Sequence, residues 1–158
     1  MDRRSFISYA EGIQKELRRF LTALCCGNAA RADDIAQNTL VKAYLGMDTF
    51  REESRFRAWI FKIAYNTFLD STRRMQPEAD LDSAATVAAD GAADDAFRYQ
   101  ELYTALSEIP ARERTAILLY YMEGYDVREV AAMTDESEGN VRQHLSRGRK
   151  HLKVLLED

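Results

Sequence analysis

The chain has 158 residues, 46% of them hydrophobic, which suits one packed domain or two small ones and excludes a disordered chain. Two prolines and seven glycines are too few for a turn-rich β-sandwich or barrel, and no apolar run approaches the about 20 residues that cross a bilayer. The net charge is −4, the basic start MDRRSFISYAEGIQKELRR lacks a signal-peptide core, and the adjacent Cys25 and Cys26 can build no disulfide framework, so a soluble, reduced, cytoplasmic protein is expected.

Helical periodicity runs through the chain. Phe6, Tyr9, Ile13, Leu17, Phe20, Leu21 and Leu24 recur at three- and four-residue steps and predict one amphipathic helix, ended by Gly27-Asn28. A second helix is predicted from about Ala32 to Leu45, burying Ile35, Leu40, Val41 and Tyr44. A third is predicted from about Ser54 to Arg74, with Phe56, Trp59, Ile60, Ile63, Phe68 and Leu69 inward. Residues 1–74 thus read as one helical domain. Residues 75–96 hold Pro77 and Gly91, many Ala and Asp, and read as an acidic flexible linker. As a coil it spans roughly 25 Å, and fully extended roughly 70 Å.

Residues 97–158 read as a second helical domain. Phe97–Ser107 is the first helix, with Leu102, Tyr103 and Leu106 inward. Pro110 opens the next, Ala111–Glu123, and Gly124 breaks it. A short helix Val127–Met133 precedes the turn Thr134-Asp135-Glu136. Ser137 is a good N-cap for a last helix through Leu156, whose apolar stripe is Val141, Leu145, Leu152 and Leu155. No strand is predicted, so the fold class is all-α: two small helical domains, the second with a helix-turn-helix.

The net charge conceals an asymmetry. Residues 1–74 sum to +4, residues 75–97 to −6 with no basic residue, and residues 98–158 to −2. Asn140–Leu156 alone carries five basic residues and no acid. A short helix, a tight turn and a basic second helix match the pattern that lays its second helix in the DNA major groove. Asn140, Arg142, Gln143 and His144 offer donors and acceptors for base edges and phosphates. Arg147, Arg149 and Lys150 suit the backbone, and Ser137 with the helix N-terminus can also meet a phosphate. Against this, Asp135, Glu136 and Glu138 crowd the entry to the helix and would repel phosphates; a solvated helix face is the plainer alternative.

In this order, D-D-x-x-Q (Asp33 to Gln37), F-R-x-W-x-x-x-I-A-x-N-x-x-x-D-x-x-R-R (Phe56 to Arg74), a linker and a helix-turn-helix resemble the two-domain bacterial extracytoplasmic-function (ECF) sigma factors. The resemblance implies a non-catalytic initiation subunit that binds core RNA polymerase and directs it to promoter DNA. It places polymerase docking on Asp34, Gln37, Asn38 and Leu40. It places melting of the minus-ten element on Met47–Arg74 and reading of the minus-thirty-five element on the last helix. Within the first of these segments, Arg51, Arg55, Arg57, Lys62, Arg73 and Arg74 suit a DNA backbone. Phe61 and Tyr65, off the predicted stripe, are expected as stacking faces, Asn66 as a hydrogen-bonding edge, and Trp59 as core. The resemblance also implies an anti-sigma factor as partner, membrane-bound in many such systems.

Two departures stand out. Asp135 and Glu136 replace a usual glycine and a nearby apolar residue, which puts the tightness of the hairpin in question. His144 stands where a basic residue is frequent. The acids leave open a second reading, a sigma-like decoy that binds a regulator without binding DNA. His144 and His151 lie far from the cysteines in sequence, and no zinc spacing, phosphate-cradling loop or nucleophile–base pair is visible. No catalytic residue, metal, cofactor or small-molecule substrate is expected. The vicinal cysteines are either redox-sensing or, more plainly, helix-end packing.

Overall fold

The computed structural model describes residues 1–50, 55–75 and 93–157. Arg51 and most of the acidic linker lie outside the described residues. Three helices come first: α1 (Arg3–Leu24), α2 (Ala29–Leu45) and α3 (Phe56–Met75), with a 3-10 turn at Met47–Thr49. Four follow: α4 (Ala93–Ser107), α5 (Ala111–Ile117) continued by a π turn at Leu118–Met122, α6 (Val127–Thr134) and α7 (Glu138–Leu156). There is no strand among the described residues. The helix α4 starts at Ala93, inside the stretch assigned to the linker.

Local chemistry sets the helix ends. Asp2 caps α1 by accepting from the Ser5 N–H at 2.8 Å. The chain reverses through Cys26 (φ 55°) and Gly27 (φ 91°), and Asn28 then caps α2 by accepting from Arg31 N–H at 3.0 Å. The apolar stripe of α1 is buried as predicted except Tyr9, which is exposed and stacks on Phe56.

The second and third helices differ from expectation. On α2, Ile35 is buried, but Val41 and Tyr44 face solvent and Leu40 is only half-buried. On α3 the inward face holds Phe56, Ile60, Phe61, Ala64, Tyr65 and Phe68, while Trp59, Ile63 and Leu69 are half-buried. The reason is that α3 is covered twice: α1 and α2 pack on one side and α6 on another. A helix with two covers has a wide buried face, and residues off the main stripe then turn inward.

One hydrophobic core runs through both sets of helices, from Phe6 and Ile35 to Val130, Val141 and Leu145. Phe61 joins them. Its ring lies 5.2 Å from Phe20 of α1 and 5.6 Å, edge-on, from Tyr125 before α6. Burial of such a side chain is worth about 1.5–3 kcal/mol in transfer terms.

Candidate nucleic-acid interface

The helix-turn-helix is built from short-range bonds. Asp126 and Glu129 form a reciprocal capping box at the start of α6, at 2.8 and 3.0 Å. Val130, Ala131 and Met133 seat α6 in the core. Asp135 takes the left-handed conformation (φ 56°) that its short polar side chain tolerates, and Glu136 N–H returns to the Ala131 carbonyl at 3.1 Å. Ser137 Oγ then accepts from Asn140 N–H at 3.0 Å and starts α7.

Close packing fixes α7 against α5. A Cβ on Gly148 would lie 2.8 Å from Ile117 Cγ1, so glycine is needed for this approach. With Val141, Leu145 and Gly148 buried beneath, Asn140, Arg142, Gln143, Arg147 and Lys150 are exposed. Gln143, Arg147 and Lys150 recur at three- and four-residue steps and share the outermost line of the helix.

Each of the acids that threatened this surface lies beside a cation. Glu138 pairs with Arg142 at 3.4 Å, one helical turn on. The side chain of Glu136 is only 14% exposed, with His144 Nε2 at 3.0 Å and Arg112 at 3.6 Å. Asp135 pairs with Lys62 of α3 at 3.0 Å. An ionic cluster therefore stands where an apolar contact was expected to tighten the hairpin. Two of the predicted contacts have partners within the chain. His144 is turned into Glu136 on the flank of the helix rather than outward. Arg149 donates to Tyr121 Oη at 3.1 Å. His151 is likewise held from below, its Nδ1 2.7 Å from the buried carboxylate of Glu113.

The predicted minus-ten residues divide. Arg55, just before α3, and Asn66, Arg73 and Arg74 on it are exposed, with Arg73 3.6 Å from Asp70. Arg57 pairs with Glu16. Phe61 and Tyr65, expected as stacking faces, are instead 1% and 3% exposed. The cover supplied by α6 and its flanking turns is the cause. Tyr65 sits beside Glu136 and Thr115, and burial, followed by the nearby Glu136 charge, raises its pKa. Trp59 is half-buried and stacked on Phe50 at 4.6 Å.

On α2, Asp34, Gln37 and Asn38 are exposed and Leu40 is half-buried. The sequence reading missed two neighbours on that face: Val41 is 57% and Leu45 76% exposed. With Asp34 and Asn38 they follow one helical line at steps of three and four, a signal hidden by assigning Val41 to the core. Beside them an open groove of about 680 Å³ between α2 and α3 is lined by Arg31, Asp34, Asn38, Lys42, Asp70 and Arg74.

The cysteines read as packing. Burial pushes the Cys25 thiol up to about 12 and raises that of Cys26 as well. At pH 8 only roughly one Cys25 in ten thousand is then a thiolate. Iodoacetamide at pH 8 is expected to leave Cys25 unmodified in the folded chain and to alkylate it in urea, as read by intact mass. Rapid labelling of the folded chain would show that the site opens. No described helix is long and apolar enough to cross a membrane.

Residues 9–77 match sigma-70 region 2 and residues 99–152 match sigma-70 region 4. The fold and its exposed basic helix thus define a helical sigma-70-type initiation factor. The ECF RNA polymerase sigma factor EcfG of Rhodopseudomonas palustris is 32% identical over 143 residues, covering 89% of this chain and 78% of that protein. SigM of Mycobacterium tuberculosis is 30% identical over 158 residues, covering 98% and 79%. A solved complex of the sigma factor RpoE with the anti-sigma factor NepR from Bartonella quintana matches at a TM-score of 0.78 and 29% identity, over 97% of both chains. The chain belongs to the ECF RNA polymerase sigma factor family, which acts in polymerase-associated promoter recognition.

Proposed function

We propose that residues 1–74 dock on core RNA polymerase and open the minus-ten element, and that residues 97–158 read the minus-thirty-five element through α7. The observation that carries this reading is the line of Gln143, Arg147 and Lys150 along the exposed side of a helix seated on Val141 and Leu145. A glutamine there can bond N6 and N7 of an adenine together, and an arginine O6 and N7 of a guanine, each worth about 1–3 kcal/mol of discrimination. Polymerase docking is assigned to Asp34, Gln37, Asn38 and Leu40, widened to the exposed Val41 and Leu45. Minus-ten contacts are assigned to Arg55, just before α3, and to Asn66, Arg73 and Arg74 on it. An anti-sigma factor is the proposed regulator, in line with the RpoE relative solved with NepR, and the cytoplasm is the proposed site of action.

The decoy reading rested on the acids around the turn. Each now has a cation within reach, so they no longer argue against a phosphate partner.

The test is run-off transcription with purified chain, core polymerase and a library of promoter fragments. Discrete starts sharing two upstream motifs are expected. Arg147→Ala should weaken promoter binding by about 1–3 kcal/mol if it reads a base, or reduce the salt slope by about one unit if it meets a phosphate. Core binding without starts would remove the upstream assignment, and no core binding would restore the decoy.

A further inference from the structure

Of the three acids at the entry to α7, one is placed unlike the others. Asp135 pairs with Lys62 of α3, and the Glu136 side chain is largely covered between His144 and Arg112. Glu138 is the first residue of α7, directly after the Ser137 cap, and the cation beside it is Arg142, itself a candidate for reading bases. Both side chains are open, Glu138 50% and Arg142 64% exposed, with Glu138 Oε1 3.4 Å from Arg142 Nη2. Gly139, next to Glu138, adds no side chain. Among the described residues, a Cβ there would meet nothing closer than Ser137 Oγ at 3.9 Å. Packing therefore does not call for this glycine, and it leaves the first turn bare for a close approach from outside.

The first turns of a helix laid in the major groove in this way are the part that meets base edges. A carboxylate placed there suits one base. Cytosine shows the N4 amino donor and no acceptor in the major groove. Adenine sets an acceptor at N7 beside its N6 donor, and guanine and thymine show acceptors, which repel a carboxylate. The Arg142 fork has the opposite need, met by O6 and N7 of guanine. Stacked base pairs are about 3.4 Å apart, which matches the separation of the two side-chain tips.

We propose that Glu138 and Arg142 form one reading unit, Glu138 accepting from N4 of a cytosine and Arg142 donating to a guanine of the adjacent base pair. The ion pair orients both groups before DNA arrives. Each keeps capacity for a base, since the carboxylate has a second oxygen and the guanidinium further N–H donors. Glu138 thereby specifies a cytosine in the upstream element and penalises the other bases at that position, so that repulsion contributes to specificity along with attraction. The inference rests on the promoter reading above and deepens it. An acid that served only the helix would favour the positive end of the α7 dipole and leave sequence preference alone.

The experiment is selection of bound duplexes from a randomised library by the full chain assembled with core polymerase, with the bound sequences read out. Circular dichroism checks that each variant keeps its helices. The wild type is expected to enrich a motif with a cytosine next to a guanine. Glu138→Gln should lower the cytosine preference about fivefold and move it toward adenine, whose N6 and N7 a glutamine bonds together. Glu138→Ala should flatten that position while raising retention of unselected duplex, because a negative charge has left the groove. Arg142→Ala should flatten the neighbouring guanine by about fivefold or more. A motif that lacks the cytosine, or that keeps it unchanged in both Glu138 variants, would overturn the reading unit. If Arg147→Ala still altered that motif elsewhere, the promoter reading would stand without it. A wild type that enriches no motif would overturn both.

Discussion

Replacing Phe61 with alanine is expected to cost about 3–5 kcal/mol of folding stability, the range for truncating a fully buried aromatic side chain. The site has no route to collapse. The ring is 1% exposed and lies against Phe20 from one unit and Tyr125 from the other. Aromatic pairs of this geometry add about 0.5–1.5 kcal/mol each beyond area burial. For a chain of this size, each kcal/mol moves the melting temperature by about 2–4 °C, so a drop of about 10 °C is the expected reading by circular dichroism. Phe61→Leu should recover part of it. The alternative, a ring held out for stacking on bases, predicts a stability change within about 0.5 kcal/mol. Thermal melting of the free chain therefore decides between a core residue and a contact residue without DNA in the tube.

Phe61 also shows where the sequence was legible and where it was not. The helix α1 has a single buried stripe, and its three- and four-residue spacing predicts six of its seven apolar positions correctly. The helix-turn-helix was legible because its signals are local: Ser137 caps, Asp135 reverses the chain, and Val141 and Leu145 face inward. On α3 the same periodicity argument misplaced Phe61 and Tyr65. Periodicity reports how many faces are apolar only when one neighbour covers the helix, and α6 comes from about 70 residues further along the chain.

The pairing of Asp135 with Lys62 is hidden for that same reason. Read alone, an acid at the entry of a recognition helix is a repulsion; read with its distant partner, it is a contact. The π turn at Leu118–Met122 was illegible in a different way. ILLYYM is apolar throughout and fits a regular helix. Only the bond from Glu123 N–H to the Leu118 carbonyl, five residues back, shows the extra residue per turn. Gly148 looks like a helix weakness in sequence, and its use is visible only from the distance to Ile117.

Arg114→Ala is expected to destabilise the chain by about 3 kcal/mol, although in the run ARER it reads as one surface charge among several. Its guanidinium is half-buried and donates to three carbonyls: Leu106 at 2.9 Å, Ile109 at 3.2 Å and Leu24 at 2.9 Å. The Leu24 carbonyl ends α1, and that of Leu106 lies in the last turn of α4, so both belong to the orphan acceptors that every helix leaves at its C-terminus. The charge also meets the negative ends of two helix dipoles, from opposite units of the chain. Removing it leaves the Leu24 and Ile109 carbonyls to find water, at about 1–3 kcal/mol for each that stays buried and unmade, while the Leu106 carbonyl keeps the Ile109 N–H at 3.3 Å. Lysine keeps the charge but has no planar fork to reach three directions, so Arg114→Lys should fall between wild type and alanine. Urea unfolding of the three proteins checks the order. A loss below about 0.5 kcal/mol for alanine would mean that the carbonyls are hydrated, and that the joint between α1 and α4 is held by apolar packing alone.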